Sequence, residues 1–142
     1  MTDRESIQQL VAIYARALDA RDYETIAHCF APDAFAEYTG FSGPMNGREA
    51  IDAHMKKALG PLATTQHIFT NFIIAVDGDS ATLYCDAMGQ HVTGTGEDAE
   101  TYLSGGKYNA ELRRRDGQWE FQTLVANAIW GMGDRGMLPR KG

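Results

Sequence analysis

The chain has 142 residues, of which 44% are hydrophobic and 23% charged, and carries a formal net charge of -6. That length suits one domain with a single substantial core, and the composition is that of a soluble globular protein. The acidic balance, with one cationic run at Arg113-Arg114-Arg115 beside an Asp116-Gly117 turn signal, argues against nucleic acid as a partner, and no apolar run reaches membrane-spanning length.

The N-terminus, Met1 to Glu5, is a polar helix start with no signal-peptide core behind it, so a cytoplasmic location and no membrane partner are expected. Thr2 or Asp3 caps a first helix on which Ile7, Leu10, Val11, Tyr14 and Leu18 form one apolar stripe that must pack against a sheet. Tyr14 sits mid-stripe, so its hydroxyl enters the interior and meets either a backbone carbonyl or a ligand. Asp19 falls near the helix C-terminus, where the macrodipole disfavours a carboxylate by up to about 1 kcal/mol. It is either a solvated turn residue or is faced by a cation or donor.

Asp22 caps a short second helix through Tyr23, Ile26, Ala27 and Phe30, stopped by Pro32. Cys29 within it, like Cys85 further on, lacks metal-site spacing and reads as a small core residue. Ala34 to Tyr38 is a short strand in which Phe35 faces away from Ala34, Ala36 and Tyr38. Gly40, Gly43, Pro44 and Gly47 mark a loop with room for only a brief extended piece. Arg48 to Leu59 is a third helix, with Ile51, Met55 and Leu59 on one side and Gly60-Pro61 ending it.

From Thr64 the period becomes that of strands. Thr64 to Val76, closed by Asp77-Gly78, is one long strand with a lone histidine, His67, among apolar neighbours. Ile68, Phe72, Ile74 and Val76 are expected on one face, and His67, Phe69 and Ile73 on the other. Ala81 to Val92 is a second long strand, with Leu83, Cys85, Ala87, Gly89 and His91 on one face and Tyr84, Asp86, Met88 and Gln90 on the other. Residues 93–100 read as an acidic, mobile, solvated loop. Tyr102 to Arg114 and Trp119 to Trp130 are two further strands joined at Arg115-Asp116-Gly117-Gln118. The tail, residues 131–142, is too glycine-rich to hold regular structure by itself. It is either disordered or lies over a pocket mouth, contributing Met132 or Met137.

Three helices followed by long hairpin-linked strands give a single α+β domain in which a bent antiparallel sheet wraps around three N-terminal helices. Both faces of the His67 strand carry apolar side chains. The face turned away from the helices wants a partner, and a homo-oligomer, dimer or trimer, formed through the sheet would cover it.

An ordered series of motifs now carries a family resemblance: Ile7-Gln8-Gln9-Leu10, Tyr14, Asp19, Asp22-Tyr23, Phe30-Ala31-Pro32-Asp33-Ala34, Thr65-Gln66-His67-Ile68-Phe69-Thr70-Asn71, Asp77-Gly78-Asp79-Ser80-Ala81, Gly106-Lys107-Tyr108 and Arg114-Arg115-Asp116-Gly117-Gln118-Trp119. Together they resemble the SnoaL-like branch of the nuclear-transport-factor-two-like superfamily, which includes scytalone dehydratase, bile-acid dehydratase and the hexachlorocyclohexane dehydrochlorinases. The resemblance implies a cone-shaped, cystatin-like α+β barrel with a deep apolar pocket. It implies that His67 is a general base and Asp19 the aspartate bonded to it. It matches Tyr14 to a pocket tyrosine of the dehydratases, and to the oxyanion-binding tyrosine of ketosteroid isomerases. The isomerase's aspartate base would fall near Tyr38, so that base is missing. Leu124 stands where several lyases of the branch carry an arginine.

A neutral imidazole takes a proton only through a free ring nitrogen, and a carboxylate on the other nitrogen fixes that tautomer and stabilises the resulting cation. Such a base is worth roughly 10²–10⁴ in rate, so donors aimed at developing charge must supply more. Tyr14 is the first candidate donor, with Tyr38 and Asn127 behind it. Phe35, Phe69, Met88, Leu124 and Trp130 are candidate pocket walls. His91 either enters the pocket or is structural. His28, His54, His67 and His91 show no ligand spacing with the acids, so no metal and no cofactor are expected. The leading reading is a cofactor-free lyase acting on a hydrophobic cyclic or aromatic small molecule. The alternatives are an isomerase or polyketide-cyclase-type enzyme using the same base, and a non-catalytic ligand-binding module.

Overall fold

The computed structural model describes residues 1–94 and 96–138. Thr95 of the acidic loop and residues 139–142 of the tail lie outside the described residues. The first helix, α1 (Asp3–Ala20), begins at a capping box: Thr2 Oγ1 accepts from the Glu5 amide at 3.1 Å, and the Glu5 carboxylate accepts from the Thr2 amide at 2.8 Å. Its buried stripe is Ile7, Val11, Tyr14, Ala17 and Leu18, and it lies across the strand that carries His67.

Helix α2 (Tyr23–His28) is capped by Asp22 and stops two residues earlier than the apolar pattern predicts. Phe30 is already strand, because it pairs alongside Phe121 and is fully buried there. Strand β1 (Phe30–Thr39) therefore absorbs Pro32, which sits where the ladder to its neighbour is interrupted and no amide donor is needed. A two-residue strand, β2 (Met45–Asn46), interrupts the glycine loop before α3 (Arg48–Leu59), whose buried side is Ile51, Met55 and Leu59.

Four long strands follow: β3 (Thr64–Asp77), β4 (Ser80–Thr93), β5 (Glu100–Arg115) and β6 (Gln118–Gly133). The sheet has six strands in the order β2-β1-β6-β5-β4-β3 and stays unclosed. It is mixed rather than purely antiparallel as expected, since β1 pairs with β6 in parallel. The long intervening chain frees that pair from the hairpin geometry that makes neighbours antiparallel. Irregularities at 70–73, 105–106 and 111–112 bend the strands around the helices. This curved sheet and its three helices make an α+β, cystatin-like fold.

The bulge in β3 corrects the expected faces. Asn71 has φ 59°, and two residues there oppose one on β4, so the side-chain alternation inverts. Thr65, His67, Phe69, Phe72 and Ile74 consequently share the concave, more buried face, while Ile68 and Ile73 point outward, 51% and 67% exposed. The glycine-rich tail also departs from expectation. Its first three residues extend β6, where Gly131 and Gly133 pair with Ser104 and Tyr102. A Cβ on Gly131 would lie 2.0 Å from the Tyr102 hydroxyl oxygen and one on Gly133 2.1 Å from the Thr101 carbonyl oxygen, so these glycines serve close approach rather than looseness. Residues 96–98 form a turn of 3₁₀ helix, as do Arg135–Met137. Met132 lies outward and exposed, whereas Met137 packs partly against the core. No helix among the described residues is long and apolar enough to cross a membrane.

Candidate functional site

Between the helices and the concave face of the sheet lies a cavity of about 120 Å³. Tyr14 and Leu18 of α1, His54 and Met55 of α3, Tyr38 of β1 and the sheet residues His67, Gly89, His91, Tyr108 and Asn127 line it, and Leu138 closes one side. That volume is close to the roughly 150 Å³ that accommodates a benzene ring in an apolar protein cavity.

His67 is fixed by Asp19. The His67 Nδ1–H donates to Asp19 Oδ1 at 2.8 Å, and the His67 backbone amide donates to Asp19 Oδ2 at 3.1 Å. Because a carboxylate only accepts, Nδ1 carries a proton, and in the neutral ring Nε2 is the nitrogen that keeps its lone pair. The Thr65 hydroxyl donates to the same Asp19 Oδ1 at 3.0 Å, and Arg21 donates to the Thr65 oxygen at 3.3 Å and to the Leu62 carbonyl at 3.1 Å. Partial burial works to raise the Asp19 pKa, but the hydrogen bonds from the His67 ring, the His67 amide and the Thr65 hydroxyl outweigh it and hold the carboxyl below its usual range. Asp19 itself stands behind His67 and does not line the cavity.

A second polar group lies among aromatic rings. The Tyr14 and Tyr38 hydroxyls are hydrogen-bonded to each other. Tyr14 is held edge-on by Phe30 and Phe121, and Tyr38 stacks on His54 at 5.6 Å with 15° between the planes. Burial pushes both phenols well above their ordinary pKa; Tyr38 and Tyr108 add to the shift of Tyr14, whereas for Tyr38 the added push of Tyr108 is opposed by the hydrogen bond with Tyr14, so both stay neutral and the pair keeps one O–H to donate outward. Tyr108 packs against Phe69 and Tyr38 and is shifted upward by burial in the same way.

His91 enters the cavity, 9% exposed, with its ring edge-to-face against His67 at 5.6 Å. Its Nδ1–H donates to the Tyr102 carbonyl at 3.0 Å. Burial lowers its pKa despite that bond, and burial followed by the Lys57 charge lowers the pKa of His54.

The other expected wall residues divide. Asn127 lines the cavity, and Met88 borders it while remaining 42% exposed on the opposite face from His91. Phe35, Phe69, Leu124 and Trp130 do not line it. Strand alternation turns Phe35 away from Ala34 and Ala36, which take the buried side. Phe69 backs the tyrosines, with ring centroids 6.0 Å from Tyr14 and 5.0 Å from Tyr108. Leu124 is 1% exposed within the core, and Trp130 packs outside the cavity over Gly105. Sequence reasoning missed Thr65, Arg21, His54 and Tyr108. Only Thr65 had a local signal, lying two residues before His67 on the same strand face. Among the described residues no group of three or more histidines, cysteines or acids is placed to hold a metal ion.

Comparison with known proteins places this geometry in context. An uncharacterised protein of Mycobacterium tuberculosis (strain ATCC 25618 / H37Rv) is 33% identical over 82 residues, 58% of this chain, and the chain spans about half (56%) of the length of the curated relatives it matches. A hexachlorocyclohexane dehydrochlorinase, LinA type 2, superposes with TM-score 0.81 at 25% identity, covering 94% of this chain and 89% of that one. A protein from Novosphingobium aromaticivorans DSM 12444 proposed to be a scytalone dehydratase superposes with TM-score 0.85 at 19% identity over 98% and 92% of the two chains. A protein of unknown function with a cystatin-like fold from Nostoc punctiforme PCC 73102 gives TM-score 0.75 at 21% identity over 89% and 91%. The last two likenesses concern the fold alone. The family model of the SnoaL-like domain matches residues 1–125, and the chain belongs to that family.

Proposed function

We propose that the protein is a cofactor-independent lyase in which His67 removes a proton from a small hydrophobic cyclic or aromatic molecule and a β-substituent departs. The observation that carries this reading is the 2.8 Å bond from His67 Nδ1–H to Asp19, which leaves Nε2 as the basic atom of a residue lining an apolar cavity. As the C–H bond breaks, the proton goes to Nε2 and its electron pair becomes the new double bond. The leaving group takes its own bonding pair, and Asp19 stabilises the imidazolium. The described lining residues include no lysine or arginine, so the leaving group takes hydrogen bonds from neutral donors, of which Tyr14, Tyr38 and Asn127 are the candidates. The cavity volume favours a single-ring substrate. The likeness to a dehydrochlorinase supports elimination as the reaction class.

One observation favours a second reading. Two neutral phenols paired in an apolar cavity suit stabilisation of an enolate, which an isomerase or cyclase using His67 would form without losing a group. Screening His67→Ala and Asp19→Asn against aromatic and alicyclic alcohols, halides and ketones, with deuterium exchange and product release followed together, separates these. Exchange with loss of hydroxide or halide identifies the lyase, exchange alone identifies the isomerase, and activity surviving both substitutions refutes the His67 base.

A further inference from the structure

Helix α3 turns one polar side chain toward the cavity. Met55 and Leu59 belong to its buried side and Ala58 lies beside them, but His54, on the same flank, brings an imidazole to the wall. It is half-buried, with one ring face stacked on Tyr38. The stack leaves the ring edge unused: His54 makes no hydrogen bond among the described residues, and neither nitrogen is sealed in the interior. A leucine there would extend the apolar side of the helix, whereas this imidazole offers a hydrogen bond to whatever enters the cavity.

Lys57 follows at the i+3 position, next to His54 on the helix surface and outside the cavity lining. It is exposed and pairs with no carboxylate among the described residues, whereas Lys56 is bound to Asp52 at 2.8 Å. Burial and then the Lys57 charge bear on His54, and no acidic side chain opposes them. In a chain with a formal net charge of -6, a cation and an imidazole therefore stand side by side at the cavity rim without a counter-charge. The strand order separates this rim from the base. His54 packs on β1 and His67 belongs to β3, with β6, β5 and β4 between them. A ring in a cavity of about 120 Å³ thus offers one edge to His67, and a substituent on the other edge projects past His54 toward Lys57.

We propose that His54 and Lys57 form an anion subsite at the rim, and that the substrate is a single ring bearing a carboxylate on the edge remote from the carbon that His67 deprotonates; this rests on reading the cavity as the lyase's substrate site. One carboxylate oxygen accepts from the His54 ring and the other faces the Lys57 ammonium. The bound anion supplies the missing counter-charge, so His54 takes up a proton from water as the ligand binds. The carboxylate takes no part in the elimination. It fixes which C–H edge of the ring meets His67 Nε2, which makes His54 a specificity-determining residue.

Benzoate is the probe, and benzamide, of similar shape without the charge, its control. Calorimetric titration of the full chain at low salt is expected to show benzoate binding roughly tenfold or more tighter than benzamide. Benzoate affinity should rise as pH is lowered from about 8 to about 6, because the bound anion favours the protonated imidazole, while that of benzamide stays level. His54→Gln, whose amide still donates but does not titrate, should flatten this dependence. Lys57→Gln, a change on the exposed helix surface, should weaken benzoate about two- to fivefold. In the unaltered protein benzoate should move the midpoint of the His54 ring titration, followed by NMR, upward by about one pH unit. That readout stands even where His54→Gln does not fold. Benzoate bound no better than benzamide, bound without moving His54, or bound equally by Lys57→Gln overturns the proposal. Benzoate binding with the His54 response, in a protein that exchanges no proton from ring carboxylates, upholds the subsite and refutes the lyase. His67-dependent exchange from neutral ring compounds, with benzoate no better bound than benzamide, refutes the subsite and leaves the lyase standing.

Discussion

Asp19 grips His67 at two points, one carboxylate oxygen taking the ring Nδ1–H and the other the backbone amide of the same residue. With the Thr65 hydroxyl, three donors converge on two oxygens. An amide has a single acceptor oxygen and presents two donors of its own, so Asp19→Asn turns at least one of the three away. The substitution is expected to reduce proton abstraction by roughly 10²–10⁴, the worth of a properly oriented base. Deuterium exchange measures the loss, and ¹⁵N chemical shifts of His67 report whether Nδ1 or Nε2 carries the proton. Wild-type exchange with the Nε2-protonated tautomer would contradict the assignment.

Thr65 is 6% exposed and bridges Arg21 to Asp19. Thr65→Val keeps its volume and removes a hydrogen bond to a charged group, an interaction worth about 1.5–3 kcal/mol. Urea unfolding is expected to show a loss of that order. Activity should fall by less than in Asp19→Asn, because both His67 contacts to Asp19 persist. A Thr65→Val protein as stable as the parent would show that the bridge contributes nothing.

These two residues mark how far the sequence reaches. Asp19 stood out as a carboxylate misplaced at a helix C-terminus and His67 as a lone imidazole in an apolar strand, but each also read as an ordinary structural residue, and their pairing was legible only through the family resemblance, because 48 residues of sequence separate them. The helix stripe, the four long strands and the turns followed from periodicity and from glycine, proline and aspartate chemistry, whereas the first strand, expected over Ala34–Tyr38, runs from Phe30 to Thr39. The inward row of β3 was not legible past Asn71, since a bulge inverts alternation without changing composition. Nor was the parallel pairing of β1 with β6, which depends on tertiary packing of Phe30 and Phe121. Phe35 and Trp130 were expected in the pocket because they are large and apolar; which face of a strand they occupy decided otherwise.

Stability is expected to depend on His91 in the mildly acidic range. Burial lowers its pKa in the folded protein, so as pH falls below the ordinary value of 6.5 the unfolded chain takes up a proton that the folded chain refuses. Stability therefore declines from about pH 6.5 down to the folded-state pKa and levels off below it. His54 contributes with the same sign. Denaturant unfolding across this window should show a shallower slope in His91→Gln, whose amide still donates to the Tyr102 carbonyl but does not titrate. An unaltered slope would place the proton uptake elsewhere.

The Tyr14–Tyr38 pair separates the two readings of the reaction. If the pair stabilises developing negative charge on the substrate, removing either hydroxyl should lower turnover by about 10²–10³, the range seen when one oxyanion donor is deleted. The double change Tyr14→Phe with Tyr38→Phe should cost little more than one alone, because each hydroxyl is positioned by the other. If instead the pair only completes the core, both single variants keep their turnover and lose about 0.5–1.5 kcal/mol of stability. Steady-state kinetics beside urea titration decides between them.

Leu124 stands where the family resemblance implies an arginine, and its surroundings explain why none is present. The residue is 1% exposed, flanked in the sheet by Ala36 and Ala110, and does not line the cavity. Leu124→Arg therefore does not restore a leaving-group contact; it buries a guanidinium with no carboxylate to meet it. The expected cost is about 3–5 kcal/mol, the range for an uncompensated buried charge. Leu124→Ala is expected to lose about 2–5 kcal/mol through the cavity it opens. Turnover per folded molecule should not rise in Leu124→Arg, since the charge has no route to the reacting atoms. A stable Leu124→Arg protein with accelerated halide release would mean that this position reaches the substrate after all, and that the neutral donors around Tyr14 and Asn127 are not the groups that receive the leaving group.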